Sequence, residues 1–152
     1  MTFSCDRLKK AYEFAKTAHG DQKDRYGNNL FTAHVLKVFE ETGGERAATE
    51  LGVTALLHDV LEKTSIEAPE ITEKFGDRIS KAVVNLSRDP ETPYFEYIED
   101  LASNPLAVTV KRADLKANLT QAKQLRRPND KERVKKYTRA LSSLAPATGF
   151  EE

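Results

Sequence analysis

The run "ALLHDVLEKT", Ala55 to Thr64, constrains this chain more than any other stretch. Its apolar residues recur at helical spacing and read as a buried helix, yet it carries His58, Asp59, Glu62 and Lys63. An unpaired charge in an apolar interior costs several kcal/mol, so the fold must bring other side chains to meet these. His58 and Glu62 are four residues apart and share one helix face. Asp59 is rotated about 100° from His58 and reaches the same cleft from its edge. Leu57, Val60 and Leu61 pack on the other side.

Two further segments place polar groups where apolar neighbours bury them. His34 sits in the first turn of another apolar helix, and Asp114 lies among Val110, Ala113 and Leu115 in "VKRADLKANL". A histidine, a histidine-aspartate pair and an aspartate thus come from three separate helices. Two imidazoles and two carboxylates are a donor set suited to Mn, Fe, Zn or Mg-like ions, with positions left open for water and substrate. Spacing equally allows each to be a hydrogen-bonded core residue. Neutral imidazole is the ligating form, so affinity is expected to fall below a pH of about 6.5.

Nearly every segment reads helical. A first helix is expected from about Cys5 to His19, with Gly20 as its stop and His19 as a C-terminal cation. After the loop "DQKDRYGNN", Thr32 caps a second helix to about Thr42. A third runs from about Glu45 to Thr64, and Gly52 marks either a break or a close helix contact within it. Pro69 opens a short helix ended by Gly76, and Asp77 caps the next. Pro93 opens another, Asn104-Pro105 breaks the chain, and a long helix follows. "VTV" is strand-like locally, but a lone strand has no partner, so it is read as helix. Asp130 caps a last helix to about Leu144. The expected fold class is all-α, with six to eight helices in one domain spanning 1–152.

Formal net charge is zero, so nothing drives the whole molecule toward nucleic acid or membrane. The distribution is uneven. Eleven Lys/Arg face three Asp/Glu between Ser103 and Arg139, a bias that marks either an anion-binding side or solvated helix faces. The one cysteine, Cys5, excludes an intramolecular disulfide and a Cys-based zinc site. No apolar run approaches the roughly 20 residues that span a bilayer, and the N-terminus lacks the apolar stretch of a signal peptide. A cytoplasmic protein is expected.

Five segments, in order, resemble the HD-domain metal phosphohydrolases, and within them the hydrolase domain of RelA/SpoT-type alarmone enzymes and its small single-domain relatives. They are "AYEFAKTAHGDQ", "YGNNLFTAHVLKV", "TALLHDVLEKT", "ITEKFGDRISKAVVNLS" and "VKRADLKANL". The resemblance implies an HD helical bundle in which His34, His58, Asp59 and Asp114 hold a divalent ion. That ion is usually Mn²⁺ in the alarmone hydrolases; Fe²⁺, Zn²⁺ and Mg²⁺ suit the same donors. It implies Glu62 as the acid that orients or deprotonates the attacking water, and Asn118 as a contact to the nucleotide ribose. Lys23 and Arg25 are candidates for substrate phosphate or base. Lys111 is either a phosphate contact or an exposed helix lysine.

The chain departs from that pattern at four points. The family's Glu-Asp pair is Glu62-Lys63 here, so Lys63 is a surface residue, a phosphate clamp, or a sign of lost hydrolysis. Asp24-Arg25 stands where the alarmone hydrolases usually have Arg-Lys, and Asp24 cannot stack on a base as a guanidinium does. "GNNLFTAHV" lacks the Pro-Tyr before the histidine and the Pro after it, and has one residue more between Gly27 and His34. Finally, the chain holds no synthetase-like or regulatory segment, so a stand-alone hydrolase of the small type is expected. The leading expectation is a metal-dependent nucleotide phosphohydrolase with a (p)ppGpp-like 3′-pyrophosphate as first candidate substrate. The alternatives are a phosphatase of another nucleotide and a nucleotide-binding HD module that no longer catalyses.

Overall fold

The computed structural model of the chain describes residues 2–125 and 127–147. Among them are eight helices of six residues or more and one single-turn helix, with no strand. α1 (Asp6–His19) stops at Gly20, whose φ of 53° is left-handed. A loop pinched by one bridge between Lys23 and Asn29 leads into a π-helical turn, Phe31–Val35, and on into α2 (Leu36–Glu41). A π turn holds one residue more than an α turn. Phe31, His34 and Val35 of this turn are all buried. The side chain that caps this entry is Asn29, whose Oδ1 accepts from Thr32 N–H at 3.1 Å; Thr32 itself is not the cap.

α3 (Thr49–Leu57) is the central element. Every residue from Leu51 to Leu57 is buried, because α1, α2, α6 and α8 pack around it. The expected single helix from Glu45 to Thr64 is divided. A 3₁₀ turn, Gly44–Arg46, precedes α3, and His58-Asp59 separates it from the one-turn α4 (Val60–Lys63). The cause lies in the Ala55 carbonyl. In an unbroken helix it accepts from Asp59 N–H; here it accepts from His58 Nδ1 at 2.6 Å and from His58 N–H at 3.4 Å.

α5 (Ala68–Phe75) begins with Pro69 in its first turn, and α6 (Asp77–Leu86) follows directly. Asp77 lies inside α6, and the cap position belongs to Gly76 at φ 95°. α7 (Tyr94–Asp100) follows Pro93. Then comes α8 (Pro105–Leu125), which takes in "VTV" and whose Ala107 N–H is capped by Asn104 Oδ1. α9 (Asp130–Ser143) packs along α8. Asp130 is its first residue and Asn129 its cap position. Buried there, the Asp130 carboxylate accepts from Tyr26 Oη and Arg133, tying the α1–α2 loop to α9.

Gly52 is a close helix contact and not a break. A Cβ at this position meets Leu8 Cδ2 at 2.8 Å and Phe39 Cε1 at 3.2 Å, and both neighbours are fully packed. Gly52→Val therefore forces α1 and α2 away from α3. We expect a loss of about 1–3 kcal/mol, measured by urea unfolding, with no change in the denaturant slope.

Candidate functional site

The division of α3 from α4 changes where Asp59 points. Its backbone sits at φ −100°, ψ −2°, which turns its carboxylate toward His58 instead of a full helical step away. Asp59 Oδ2 lies 3.4 Å from His58 Nε2. His34, delivered by the π turn, brings its Nε2 to 3.4 Å from His58 Nε2 and 3.6 Å from Asp59 Oδ2. α8 supplies Asp114, whose Oδ1 is 2.8 Å from His34 Nε2 and 3.7 Å from His58 Nε2. All four residues are buried. His34, His58 and Asp59 bring donor atoms within 4.8 Å of one another, and Asp114 approaches both histidines from α8.

The arrangement can hold a divalent cation. Donors about 2.1 Å from one ion lie about 3.0 Å apart in an octahedral arrangement and about 3.4 Å apart in a tetrahedral one. The separations here bracket those values. Asp59 Oδ2 is buried and accepts no hydrogen bond, its nearest ammonium being that of Lys63 at 3.5 Å. His58 Nδ1 donates to the Ala55 carbonyl, so in the neutral ring Nε2 is the nitrogen left with a lone pair toward the cluster.

The surroundings fix the carboxylates. Lys111 Nζ binds Asp114 Oδ2 at 2.8 Å, and Asn118 Nδ2 donates to Asp114 Oδ1 at 3.3 Å. Lys111 is therefore not the exposed helix lysine that spacing allowed; its side chain is 14% exposed. Burial disfavours the Asp114 carboxylate, but Lys111 and the two histidines outweigh it and hold its pKa well below the ordinary range. Burial likewise disfavours charge on His58, yet Asp59 and Asp114 outweigh it and raise its pKa to about 9 in the metal-free cluster. Lys63 Nζ lies 3.5 Å from Asp59 Oδ2 and its side chain is 41% exposed. Glu62 is exposed on the cleft wall, and its Oε1 accepts from Arg88 N–H at 2.8 Å.

The four donors floor an open cleft of about 820 Å³ that is also lined by Lys23, Arg25, Glu62, Lys63, Lys111 and Asn118. All the candidate residues read from sequence thus share one cleft. Sequence reasoning missed Arg88, Tyr94, Tyr97, Lys136 and Tyr137 in its lining, although the basic excess of the last third signalled an anion-binding side. Asp24 has a structural task. Its Oδ1 accepts from the Tyr26 and Asn28 N–H groups at 2.9 Å each, and its Oδ2 from Gln121 at 3.2 Å. This pins the loop that presents Lys23 and Arg25.

His19 is not the cation expected at the end of α1. It is buried, its Nδ1 lies 3.0 Å from Gln22 Oε1, and desolvation pushes its pKa down. Gln22 passes the contact on by donating to the Lys63 carbonyl, bracing the end of α4. Among the described residues no helix is long and apolar enough to cross a membrane.

Comparison with known proteins agrees with this architecture. The chain is 29% identical over 152 residues to a guanosine-3′,5′-bis(diphosphate) 3′-pyrophosphohydrolase of Aquifex aeolicus, covering 95% of this chain and 22% of that protein. It is 23% identical over 160 residues to a GTP pyrophosphokinase of Streptomyces coelicolor, covering 98% of this chain and 18% of that protein. The chain thus spans about a fifth of the length of these curated relatives. A solved structure of a metazoan ortholog of SpoT that hydrolyzes ppGpp superposes with a TM-score of 0.73 at 22% identity, covering 95% of this chain and 90% of that one. A family model described as HD domain matches residues 11–141, and with most of the chain so matched, the protein belongs to the HD domain family.

Proposed function

We propose that the cleft is the active site of a metal-dependent phosphohydrolase acting on a nucleotide, with a (p)ppGpp 3′-pyrophosphate as first candidate and another nucleotide phosphate as second. One observation carries the reading: two imidazole nitrogens and two carboxylates from three segments gather beneath a cleft rich in Lys and Arg, and Asp59 Oδ2 among them accepts no hydrogen bond. The names of the Aquifex relative and the SpoT ortholog support the substrate class. A cytoplasmic location goes with such a substrate.

In this reading His34, His58, Asp59 and Asp114 hold the ion, Mn²⁺ by family resemblance. A bound divalent ion supplies Lewis acidity, polarising a phosphoryl oxygen and acidifying water. The protein's own groups do the rest. Lys111 and Asn118 keep Asp114 in place. Glu62, anchored through one oxygen to the Arg88 amide, has its other oxygen left to orient water and take its proton. Lys23 and Arg25, on the loop that Asp24 pins, receive phosphate or base, and Asn118 faces the ribose from the cleft wall.

Lys63 acts on both cation and substrate. In the metal-free protein its ammonium neutralises Asp59. With a cation held at Asp59, the partly exposed Lys63 ammonium would be left to pair with a substrate phosphate at the cleft mouth. This makes Lys63 a phosphate clamp and accounts for a base where the family has an acid.

Three outcomes are expected. First, ion and proton compete for His58. The metal-free ring keeps its proton up to a pH of about 9, so the affinity for Mn²⁺ falls as pH drops below that value, by up to roughly tenfold per unit. The window expected from an ordinary histidine, below about 6.5, therefore moves up. Calorimetric titration in buffers of different ionisation enthalpy counts the released proton; flat affinity and no release between pH 7 and 9 sink the four-donor assignment.

Second, Mn²⁺-loaded protein releases pyrophosphate from a nucleotide 3′-diphosphate, and His58→Ala loses the ion by at least about 100-fold together with turnover. Unchanged metal content and unchanged turnover in that variant reject the reading, and orthophosphate release in a nucleotide screen selects the second candidate. Third, Lys63→Ala binds Mn²⁺ as tightly or tighter while KM for the phosphorylated substrate rises roughly tenfold. A large rate gain in Lys63→Asp shows instead that the lysine marks weakened catalysis.

A further inference from the structure

α4 is a single turn, Val60–Lys63, yet it carries Glu62 and Lys63 and starts directly after the donors His58 and Asp59. One turn forms too few internal hydrogen bonds to offset the entropy of fixing its backbone, so it has to be held from outside. The carbonyl of Lys63, its last residue, has no later helical amide to receive. Gln22 Nε2, from the start of the α1–α2 loop, donates to that carbonyl.

All four polar groups of Gln22 are engaged, and they reach three parts of the fold. Its backbone N–H donates to the His19 carbonyl at 3.1 Å. Its carbonyl accepts from Leu30 N–H at 2.8 Å, just ahead of the π turn that carries His34. Its side chain spans from His19 Nδ1, 3.0 Å from Oε1, to the Lys63 carbonyl. Gln22 also lines the cleft.

The direction of the amide follows from its partners. A carbonyl only accepts, so the NH₂ end of Gln22 faces Lys63 and Oε1 faces His19. His19 Nδ1 therefore carries the proton. Burial favours the neutral ring, which leaves Nε2 as an acceptor, and that atom is buried without a partner. A lone buried acceptor is destabilising, and an apolar side chain at position 19 has none. What the imidazole supplies is a fixed donor on Oε1, which locks the amide in the orientation that serves Lys63.

We infer that Gln22 is a positioning residue for the hydrolytic step: held in one orientation by His19, it fixes the end of α4 and with it the Glu62 carboxylate on the cleft wall. This rests on the phosphohydrolase reading for what Glu62 does, but the brace itself is measurable without turnover. Glu62 is then held twice, at its tip by the Arg88 amide and at its backbone through the tie to its neighbour. With only the tip held, its second oxygen shifts, and a misplacement of about 1 Å costs up to about 100-fold in rate. Lys63 is long and partly exposed, so it still reaches a phosphate from a loosened turn.

The test compares Gln22→Leu, His19→Leu and His19→Asn on the Mn²⁺-loaded protein, with circular dichroism as the check of fold. Leucine at position 22 keeps both backbone bonds, so the loop ahead of His34 stays tied while the link between His19 and Lys63 is lost. Asparagine at position 19 brings an N–H donor close to where Nδ1–H stood. Both leucine variants are expected to lower kcat roughly 10- to 100-fold for whichever nucleotide the wild type cleaves, with KM and Mn²⁺ affinity changed less than about threefold. His19→Asn restores most of that loss. Hydrogen exchange reads the brace directly. The Lys63 and Thr64 amides, bonded to the Asp59 and Val60 carbonyls, exchange at least about tenfold faster in the leucine variants and slow again in His19→Asn. Unchanged kcat and unchanged exchange in Gln22→Leu overturn the inference. So does a rate loss that follows loss of Mn²⁺, or a His19→Asn as impaired as His19→Leu. If His19→Leu fails to fold, Gln22→Leu decides by the same two readings. A wild type that cleaves no nucleotide removes the hydrolase reading, and the exchange rates then uphold or reject the brace on their own.

Discussion

The hydrogen bond from His58 Nδ1 to the Ala55 carbonyl is the contact on which the rest of the site depends. It takes the acceptor that the next helical amide needs, so α3 ends and Asp59 turns toward His58. It also places the ring proton on Nδ1 and leaves Nε2 facing His34, Asp59 and Asp114. One short bond thus sets the helix end, the direction of a carboxylate and a tautomer. It is affordable because α3 is buried on every side, and packing from α1, α2, α6 and α8 holds it where helix hydrogen bonding alone does not.

The same economy of long-range contacts positions the α1–α2 loop. Asp24 acts as a staple: two loop amides on one oxygen and Gln121, 97 residues away, on the other. Tyr26 adds a second tie, to the buried Asp130 of α9. Lys23 and Arg25 therefore stand on a loop fixed from both sides. A carboxylate at position 24 accepts from loop amides where a guanidinium could not, so this residue type is what makes the loop rigid.

What could be read from sequence followed from a local penalty. His34, His58, Asp59 and Asp114 stood out because each put polarity among apolar neighbours, and the structure buries all four. The helix break at His58-Asp59 was hidden, since hydrophobic periodicity runs through Leu57, Val60 and Leu61 without a fault. The π turn at Phe31–Val35 was foreshadowed only as one surplus residue before His34. His19 read as an ordinary terminal cation because its burial comes from the chain that returns through Gln22 and Lys63, not from its own helix. Arg88 and Lys136 have unremarkable sequence surroundings; only the packing of α7 and α9 brings them to 5.5 and 4.6 Å from the centre of the same Tyr94 ring.

Charge counting joins the two halves of the cleft. Asp59 and Asp114 are matched by Lys63 and Lys111, so the carboxylates are already neutralised by lysine before any ion arrives. A divalent ion added to this balance leaves the floor with an excess of two positive charges, where a cluster with an acid at position 63 has close to none. That excess is worth most in a cleft partly screened from water, and it draws the dianionic form of a phosphate group. Further along, Arg88 and Lys136 form no ion pair among the described residues, so positive charge is laid out in two places along the cleft and not one.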